Sequence, residues 1–428
     1  MMRSRASAIV VVVVMLASAA AAYGPSAADA ESDLASSVTT TTVPPRPDQS
    51  ALSQIPEEQL PAVEQFAQDY GLTLDRAWAA LTQQAKLTDY ADGIRSSVPG
   101  YAGFKVTMTP TGEARGVLAV LDPSTIEVPA DLLVTVIPAA LPESSIPSFS
   151  AAMTATVNQG DLQSVVEGVT YDPFQDTVIA WVSSSDSARA QTDTPTIVDA
   201  LRQSLPSSFD ATSIRVDVAP STSYNYGGLR EFKTSSFLWF HWTSGQCTSA
   251  FGVVKSIGGS LTGGYLTAAH CKVLGGTGWK IAHPSGDKTV NAYYNQSFGG
   301  YKDRIVFQAA GASWLTKTSS STTQDMAATA THIYRGTYYC HYGSRSNVQQ
   351  CGTIQQVNVP VTDQGYTVYT SLQQTGKTCI AGDSGGPVWR PGSPSTPAGT
   401  IEASRNSDST CMYLALDDQL SGSGWTLL

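Results

Sequence analysis

The sequence has no cysteine before residue 247, although six occur among its 428 residues. It also lacks a Cys-x-x-Cys pair and any clustered spacing of its five histidines, which argues against a zinc site. Beyond the first 30 residues, no run is apolar enough to cross a bilayer. These absences disfavour metalloproteins and membrane-spanning proteins, and the length of the chain suggests two or three domains.

The first 30 residues have the pattern of a secretory signal. Arg3 and Arg5 precede an apolar run over 9–22, and residues 28–30 (Ala-Asp-Ala) offer a small-residue cleavage site. Cleavage after the alanines at 20–22 is an alternative. The apolar run is shorter than the roughly 20 residues of a membrane span, which disfavours an uncleaved anchor. We therefore expect an exported, extracellular protein without membrane contact in its mature form.

Two regions of different composition follow the signal. Residues 31–54 are rich in Ser, Thr, Pro and Asp and cannot bury a core, so we expect a disordered leader. Residues 55–220 mix helical and strand periodicities, which predicts an α+β domain, and no catalytic constellation is visible there. The predicted helices are 60–70, ended by Gly71, 74–85 and 197–205, and the predicted strands are 104–108, 116–120, 177–182 and 214–218.

Charge is divided unevenly along the chain. Residues 1–220 hold 11 Lys and Arg against 25 Asp and Glu, whereas residues 221–428 hold 14 against 10. The net charges of −14 and +4 favour association of the two halves, although salt screens the long-range part of this attraction. The junction between the halves lies within the turn-rich linker 219–228.

A serine nucleophile and its base are suggested by two short blocks. Ser384 stands in Gly382-Asp-Ser-Gly-Gly-Pro387, where glycines let backbone N–H groups approach a reacting carbonyl closely. We predict that the N–H groups of Gly382 and Ser384 bind the oxyanion that forms there. A serine hydroxyl needs a base, and His270, in Thr267-Ala-Ala-His-Cys271, follows an apolar strand-like run. The pattern predicts acyl transfer on Ser384 with His270 as general base.

These two blocks, in this order, resemble the signature blocks of the chymotrypsin-like serine proteases. The details resemble the bacterial secreted branch, the streptogrisin and alpha-lytic-protease-like enzymes. Weaker matches at Cys247–Val254 and Tyr301–Phe307, and the cysteines 340 and 351, extend the resemblance over roughly residues 225–428. It implies two packed antiparallel β-barrels over residues 221–428, with the active site between them. It also implies that residues 55–220 are a pro-region that assists folding and inhibits until removed; the alternative is a binding domain retained in the mature protein.

Short β-type runs support the all-β prediction independently of the resemblance, because Gly, Asn, Ser and Pro separate them at close intervals. The runs are 251–254, 265–267, 305–307, 357–361 and 366–369.

Three aspartates need a structural or catalytic role. Asp303 opens a strand-like run and is predicted to orient His270, whereas its competitor Asp287 lies in a Pro-Ser-Gly-Asp turn that explains it without catalysis. Asp383, next to the proposed nucleophile, requires a partner if it is buried. Arg345 and a new α-amino group are both candidates for that partner.

An even number of cysteines in an exported chain predicts disulfides rather than metal ligands. Six cysteines permit 15 pairings, and the residues alone do not choose among them. The resemblance implies three sequential bridges, Cys247–Cys271, Cys340–Cys351 and Cys379–Cys411.

The resemblance also suggests which residues bind substrate. Ile380 and Ala381 before the nucleophile, and Ala403, Ser404 and Arg405 on a later strand, are expected to line the pocket. Arg405 is expected to narrow or charge the groove. No acidic residue stands at the expected pocket base, which disfavours cleavage after Lys or Arg and leaves a medium-sized apolar P1 residue as the prediction.

The leading hypothesis is a monomeric, secreted serine endopeptidase made as a pro-enzyme. Its expected partners are a protein or peptide substrate and its own pro-region, with no nucleic acid, metal or organic cofactor. The alternative is a catalytically silent homologue that acts as a binding module, against which the intact set His270, Asp303 and Ser384 argues. An acyl hydrolase that acts on esters is a third hypothesis, because a triad alone does not distinguish it.

Overall fold

The structure is a computed structural model. It describes residues 55–158, 165–182, 187–206, 209, 213–218, 222–224, 231–237, 240–273, 279–281, 288–308, 315–317, 323–363, 366–373, 377–392, 395–405 and 410–428. These residues all belong to one compact unit. The predicted signal and leader, 1–30 and 31–54, lie outside the described residues.

Two helices open the described chain, and both predictions for them are confirmed. Helix α1 (Leu60–Tyr70) buries its periodic apolar face and ends at Gly71, whose φ of 63° is the left-handed conformation that glycine adopts readily. Helix α2 (Leu74–Ser97) runs twelve residues beyond its predicted end at Ala85. Its buried residues recur along one face, so packing against the rest of the molecule sustains the extra turns.

Residues 101–218 contain two three-stranded sheets and two helices. Strands β1 (Tyr101–Met108) and β2 (Ala114–Val120) pair antiparallel, and β3 (Val134–Pro138) pairs parallel with β2. Helix α3 (Ile146–Val157) leads to the antiparallel pair β4 (Val166–Asp172) and β5 (Thr177–Val182), and after helix α4 (Ser187–Ser204) the strand β6 (Ser213–Val218) joins β5 in parallel. The four predicted strands are confirmed, and α4 begins ten residues before its predicted start. Strands β3 and β4 and helix α3 were not predicted.

The C-terminal region is rich in strands and has two short helices, α5 (His270–Val273) and α6 (Leu416–Leu420). Its strands are β7 (Thr222–Tyr224), β8 (Glu231–Phe237), β9 (Phe240–Cys247), β10 (Gly252–Ile257), β11 (Ser260–Thr267), β12 (Trp279–Ile281), β13 (Lys288–Thr289), β14 (Ala292–Gly299), β15 (Lys302–Gln308), β16 (Leu315–Lys317), β17 (Thr323–Asp325), β18 (Tyr338–Gly343), β19 (Val348–Asp363), β20 (Tyr366–Gln373), β21 (Pro387–Arg390), β22 (Thr396–Arg405), β23 (Cys411–Ala415) and β24 (Thr426–Leu427).

These strands pair antiparallel in a five-stranded sheet, a four-stranded sheet and a seven-stranded sheet, with a separate pair β16–β17. The five-stranded order is β14-β15-β11-β10-β24, and the seven-stranded order is β21-β18-β19-β20-β23-β22-β7. This arrangement agrees with the predicted all-β class, and closure into two barrels stays a prediction.

Apolar cores join residues 55–218 to the strand-rich region. Phe66 of α1 packs edge-on against Tyr338 of β18, with ring centroids 4.8 Å apart. On β5, Ile179 and Trp181 belong to one buried cluster with Val359 of β19 and other residues of the strand-rich region. Among the helices that the structure describes, none is long and apolar enough to span a membrane.

Candidate active site

His270 is held where β11 ends and α5 begins. Its backbone N–H donates to Asp303 Oδ1 at 3.0 Å, and its Nδ1 is hydrogen-bonded to Asp303 Oδ2. Asp303 lies on β15, which pairs directly with β11, so the sheet itself brings the two residues together. Both side chains are buried, at 3% and 1% exposure. Two bonds from one carboxylate fix the position and orientation of the imidazole, which is the arrangement expected of a general base and its orienting group.

Ser384 lies in the turn that leads into β21. Gly385 has a φ of 80°, and a Cβ there would lie 2.2 Å from the carbonyl oxygen of Thr248, so only glycine fits. The backbone N–H of Thr248 donates to Ser384 O at 2.8 Å, and the Thr267 hydroxyl donates to Thr248 O at 2.7 Å. The serine turn is therefore tied to the strand that precedes His270.

Glu402 of β22 contacts both predicted catalytic blocks. Its carbonyl oxygen accepts the hydroxyl of Ser384 at 3.2 Å, and its carboxylate Oε1 lies 3.8 Å from His270 Nδ1. The three residues predicted to act together, His270, Asp303 and Ser384, thus converge at one buried place. Sequence reasoning selected the next residues of the strand, Ala403 to Arg405, for the pocket and missed the contact of Glu402 with His270. The available signal was a carboxylate inside an otherwise apolar and small-residue strand.

The predicted oxyanion donors lie in the tight turn around Ser384. Asp383 N–H donates to Ile380 O at 3.0 Å, and Gly385 N–H donates to Ile401 O at 2.7 Å. Within the described part of the chain, no backbone carbonyl accepts the N–H of Gly382 or of Ser384. Gly382 has a φ of 115°, a conformation that side-chained residues resist.

Asp383 is fully buried and is satisfied by backbone donors. The N–H groups of Arg345 and Ser346 donate to its Oδ1 at 3.2 and 2.9 Å, and the N–H of Ile380 donates to its Oδ2 at 3.0 Å. Charge-assisted bonds of this kind stabilise a buried carboxylate without a formal cation. Arg345, one of the two expected partners, therefore contacts Asp383 through its main chain.

The five residues predicted to line the substrate pocket differ in accessibility. Ile380 is 43% exposed and Ala381 is also exposed. Ala403 and Ser404 are buried, and with Arg405 they pair antiparallel with Tyr224, Ser223 and Thr222 of β7. A segment of the predicted linker therefore covers the strand that was expected to bind substrate.

Three disulfides brace this region: Cys247–Cys271, Cys340–Cys351 and Cys379–Cys411. They are the pairs that the resemblance implies. The first joins β9 to the His270 turn, and the last joins the start of the serine turn to β23.

Three groups of side chains have the spacing of metal ligands within the described residues. His341 lies beside Cys379 and Cys411, but their disulfide leaves no thiolate to bind a metal. The other two groups are His270 with Asp303 and Glu402, and His332 with the adjacent aspartates of α6.

No protein-family model and no curated protein matches the chain. Among solved structures it is similar to a Nocardiopsis protease (NAPase), with 22% identity over 47% of this chain and 97% of that chain and a TM-score of 0.36. It is also similar to Thermobifida fusca protease A, with 22% identity over 48% and 98% and a TM-score of 0.35. A Cellulomonas bogoriensis chymotrypsin matches at 23% identity over 48% and 98%, with a TM-score of 0.34. Likenesses at these TM-scores do not decide the function, which is inferred below from the residues of this chain.

Proposed function

We propose that this protein is a serine endopeptidase, exported as an inhibited precursor, that cleaves peptide bonds through an acyl-enzyme on Ser384. The observation that carries this proposal is the buried cluster in which Asp303 fixes His270 while Glu402 contacts both His270 and the Ser384 hydroxyl. A binding protein has no need to bury an oriented imidazole beside a serine in a glycine-rich turn.

The reaction would begin when the Ser384 hydroxyl turns from the Glu402 carbonyl toward His270. Its Oγ would form a bond to the substrate carbonyl carbon while His270 takes its proton, and Asp303 would stabilise the resulting imidazolium. The N–H groups of Gly382 and Ser384 would stabilise the oxyanion. His270 would then give the proton to the leaving amine, and water activated by His270 would release the acyl group. The mechanism needs no metal or organic cofactor.

We assign residues 55–220 the role of a pro-region because several of their ion pairs with the strand-rich region join the net negative part of the sequence to its net positive part. In three contacts an acidic side chain of the N-terminal region pairs with a basic side chain of the strand-rich region, and we call these contacts the acid-to-base pairs. They are Asp69–Lys377 at 3.1 Å, Asp89–Arg390 at 2.8 Å and Asp172–Arg335 at 3.0 Å. Complementary charges of this kind favour association of the two regions.

The inhibitory part of the role is supported by β7. Because β7 occupies the edge of β22 beside Ala403 and Ser404, an extended peptide could not add to the same edge while β7 is in place. Cleavage in the linker 219–228 would be needed to free this edge. The precursor is therefore expected to be inactive and the processed form active.

The test is labelling with a serine-directed fluorophosphonate, applied to the precursor and to secreted, processed protein. The processed protein should label, and Ser384→Ala and His270→Ala should lose the signal, since general-base catalysis contributes about 10²–10⁴-fold. Ser256→Ala, which changes an exposed serine of β10, is the matched control and should label like the wild type. A peptide library would then separate peptidase from esterase activity and identify P1.

Folded, processed protein that does not label would refute the enzyme and favour the catalytically silent binding module. A secreted product that keeps residues 55–220 attached and labels fully would refute the inhibitory pro-region and favour a retained binding domain.

A further inference from the structure

Glu402 places a second carboxylate beside His270. Its side chain is 1% exposed, as is that of Asp303, and its Oε1 lies 3.8 Å from His270 Nδ1. One imidazole nitrogen and one oxygen of each carboxyl group lie within 4.8 Å of one another. His270 is thus flanked by two buried carboxyl groups from two different strands, β15 and β22.

The pairing of β22 with β23 is irregular at Glu402. Ile401 pairs with Tyr413, but Ala403 pairs with Met412, so the register between β22 and β23 shifts at Glu402. A shift of this kind locally breaks the strict alternation of strand faces and re-aims the side chain involved. Ile401, Glu402 and Ala403 are all buried, as are the other residues of β22 up to Ser404, and the Glu402 carboxylate lies beside His270.

Electrostatics indicate what the arrangement does. A carboxylate buried in a strand is strongly disfavoured unless an opposite charge compensates it, and a second carboxylate nearby raises that cost. The imidazolium of His270, which forms when the base takes a proton, is a cation placed against both carboxyl groups. An ionised Glu402 would therefore stabilise this imidazolium together with Asp303.

Other charged groups near the site are turned away from this cluster. The Asp383 carboxylate is bound by three backbone N–H groups on the far side of the serine turn. Arg304, next to Asp303 on β15, directs its guanidinium to the carbonyl oxygen of Ser421 at 3.1 Å. The carboxylates of Asp303 and Glu402, in contrast, both lie beside His270 Nδ1.

We propose that Glu402 is a positioning residue for the reaction: together with Asp303, whose carboxylate meets the same imidazole nitrogen, it orients His270 and stabilises the imidazolium that forms when the general base takes a proton. This inference rests on the proposed peptidase function. Glu402 touches neither substrate nor leaving group in this account, because its carboxylate acts through His270.

The experiment measures the pH dependence of kcat/KM for processed wild type, Glu402→Gln and Glu402→Asp. Gln keeps the shape and removes the charge, so the acid limb of the profile should move to lower pH by roughly 1 unit or more, as expected for an opposite charge lost at this distance. Asp keeps the charge and should retain more of the wild-type profile than Gln. Asp418→Asn, which neutralises a carboxylate outside the cluster, is the control and should leave the limb unchanged.

A second measurement tests the role of Glu402 in a chain that is neither active nor processed. In the full-length Ser384→Ala chain, the His270 ring proton is followed by NMR with and without Glu402→Gln, and His270→Ala identifies the signal. The midpoint should again fall by roughly 1 unit. A fall of less than about 0.5 unit, or a rise, overturns the role of Glu402. Because this readout needs no catalysis, it decides the inference even if the processed protein fails to label and the proposed function is wrong.

Discussion

Arg95 offers the sharpest test of how the N-terminal region is held in place. From α2 it reaches Glu143 in its own region at 2.6 Å, and across the interface it contacts Asp417 and, at 2.8 Å, Asp418 of α6. Burial raises the pKa of Asp417, but His332 and Arg95 outweigh this effect and hold the pKa below its usual range. The guanidinium therefore neutralises carboxylates that would otherwise repel one another. We expect Arg95→Met, which keeps the aliphatic stem, to destabilise the full-length chain.

The expected loss of stability depends on how far the charged groups are buried. The Arg95 side chain is 23% exposed, and those of Asp417 and Asp418 are 26% and 19% exposed. An exposed ion pair contributes about 0.2–1 kcal/mol, whereas a buried pair that loses one partner costs about 3–5 kcal/mol. Arg95 lies between these limits, and its loss leaves Asp417 and Asp418 with His332 as a neighbouring cation, so we expect a loss of about 2 kcal/mol in the free energy of unfolding.

The assay is urea unfolding of the full-length Ser384→Ala chain, which keeps the two regions joined. Arg95→Met is combined with the double substitution Asp417→Asn and Asp418→Asn in a thermodynamic cycle. The combined variant should be more stable than the sum of the two effects predicts, by at least about 1 kcal/mol, because the groups contact each other. Arg115→Met is the matched control: this arginine is 57% exposed and pairs with Glu113 in its own region, so we expect a change within about 0.5 kcal/mol.

Two results would refute this reasoning. One is an Arg95→Met variant that is no less stable than the Arg115→Met control. The other is strict additivity in the cycle, which would mean that Arg95 and the α6 aspartates act independently despite their contact.

Three further outcomes are expected. Burial lowers the pKa of His332, but the neighbouring α6 carboxylates outweigh it and raise the pKa to about 9. Because the folded chain holds this proton more tightly, its contribution is full below about pH 6.5 and should be lost, by roughly 3 kcal/mol, as the pH rises to 9; urea midpoints at both pH values should show the loss, and His332→Gln should remove it. Gly385→Ala should abolish folding or fluorophosphonate labelling because of its clash with Thr248, whereas Gly258→Ala, in open space at a φ of 60°, should cost only about 1 kcal/mol in a urea midpoint. Trp181→Ala should destabilise the full-length chain by about 3–5 kcal/mol in the same assay, since the side chain is 4% exposed and fills the core shared with β19; a loss below 1 kcal/mol would contradict that packing.

Elements specified by local pattern were predictable from the sequence. Helix α1 has an apolar face at helical spacing and a glycine that ends it, and both signals act within a few residues. Strand β3 has no comparable local signal. It forms because its backbone adds in parallel to β2, some twenty residues earlier, and its residues are only partly buried. Pairing over that distance is decided by tertiary packing, which a local pattern does not record.

In the candidate site, too, the residues in local motifs were predictable and those placed by tertiary contacts were not. His270 and Ser384 stand in motifs whose neighbours are themselves constrained, such as Gly385 with its positive φ. Glu402 has no motif, because its contact with His270 joins β22 to the end of β11, which lies more than 130 residues earlier in the chain. The pairing of β7 with β22 was equally unpredictable from the sequence. The linker has the composition of a turn, and its pairing partner lies about 180 residues further along the chain.

One ion-pair contact between the N-terminal region and the strand-rich region, that of Arg95, has the cation and the carboxylates on the opposite sides from the acid-to-base pairs. The acid-to-base pairs all place the carboxylate in the N-terminal region, in line with the net charges of −14 and +4. Such pairs alone attract the two surfaces in many orientations. Arg95 has the opposite polarity, because a cation of the acidic region meets an acidic pair on α6. A docking that slid Arg95 onto Lys377, Arg390 or Arg335 would set like charges against each other, which costs several kcal/mol by the usual magnitude of such contacts. The majority of pairs therefore supplies attraction, and the reversed contact excludes wrong orientations.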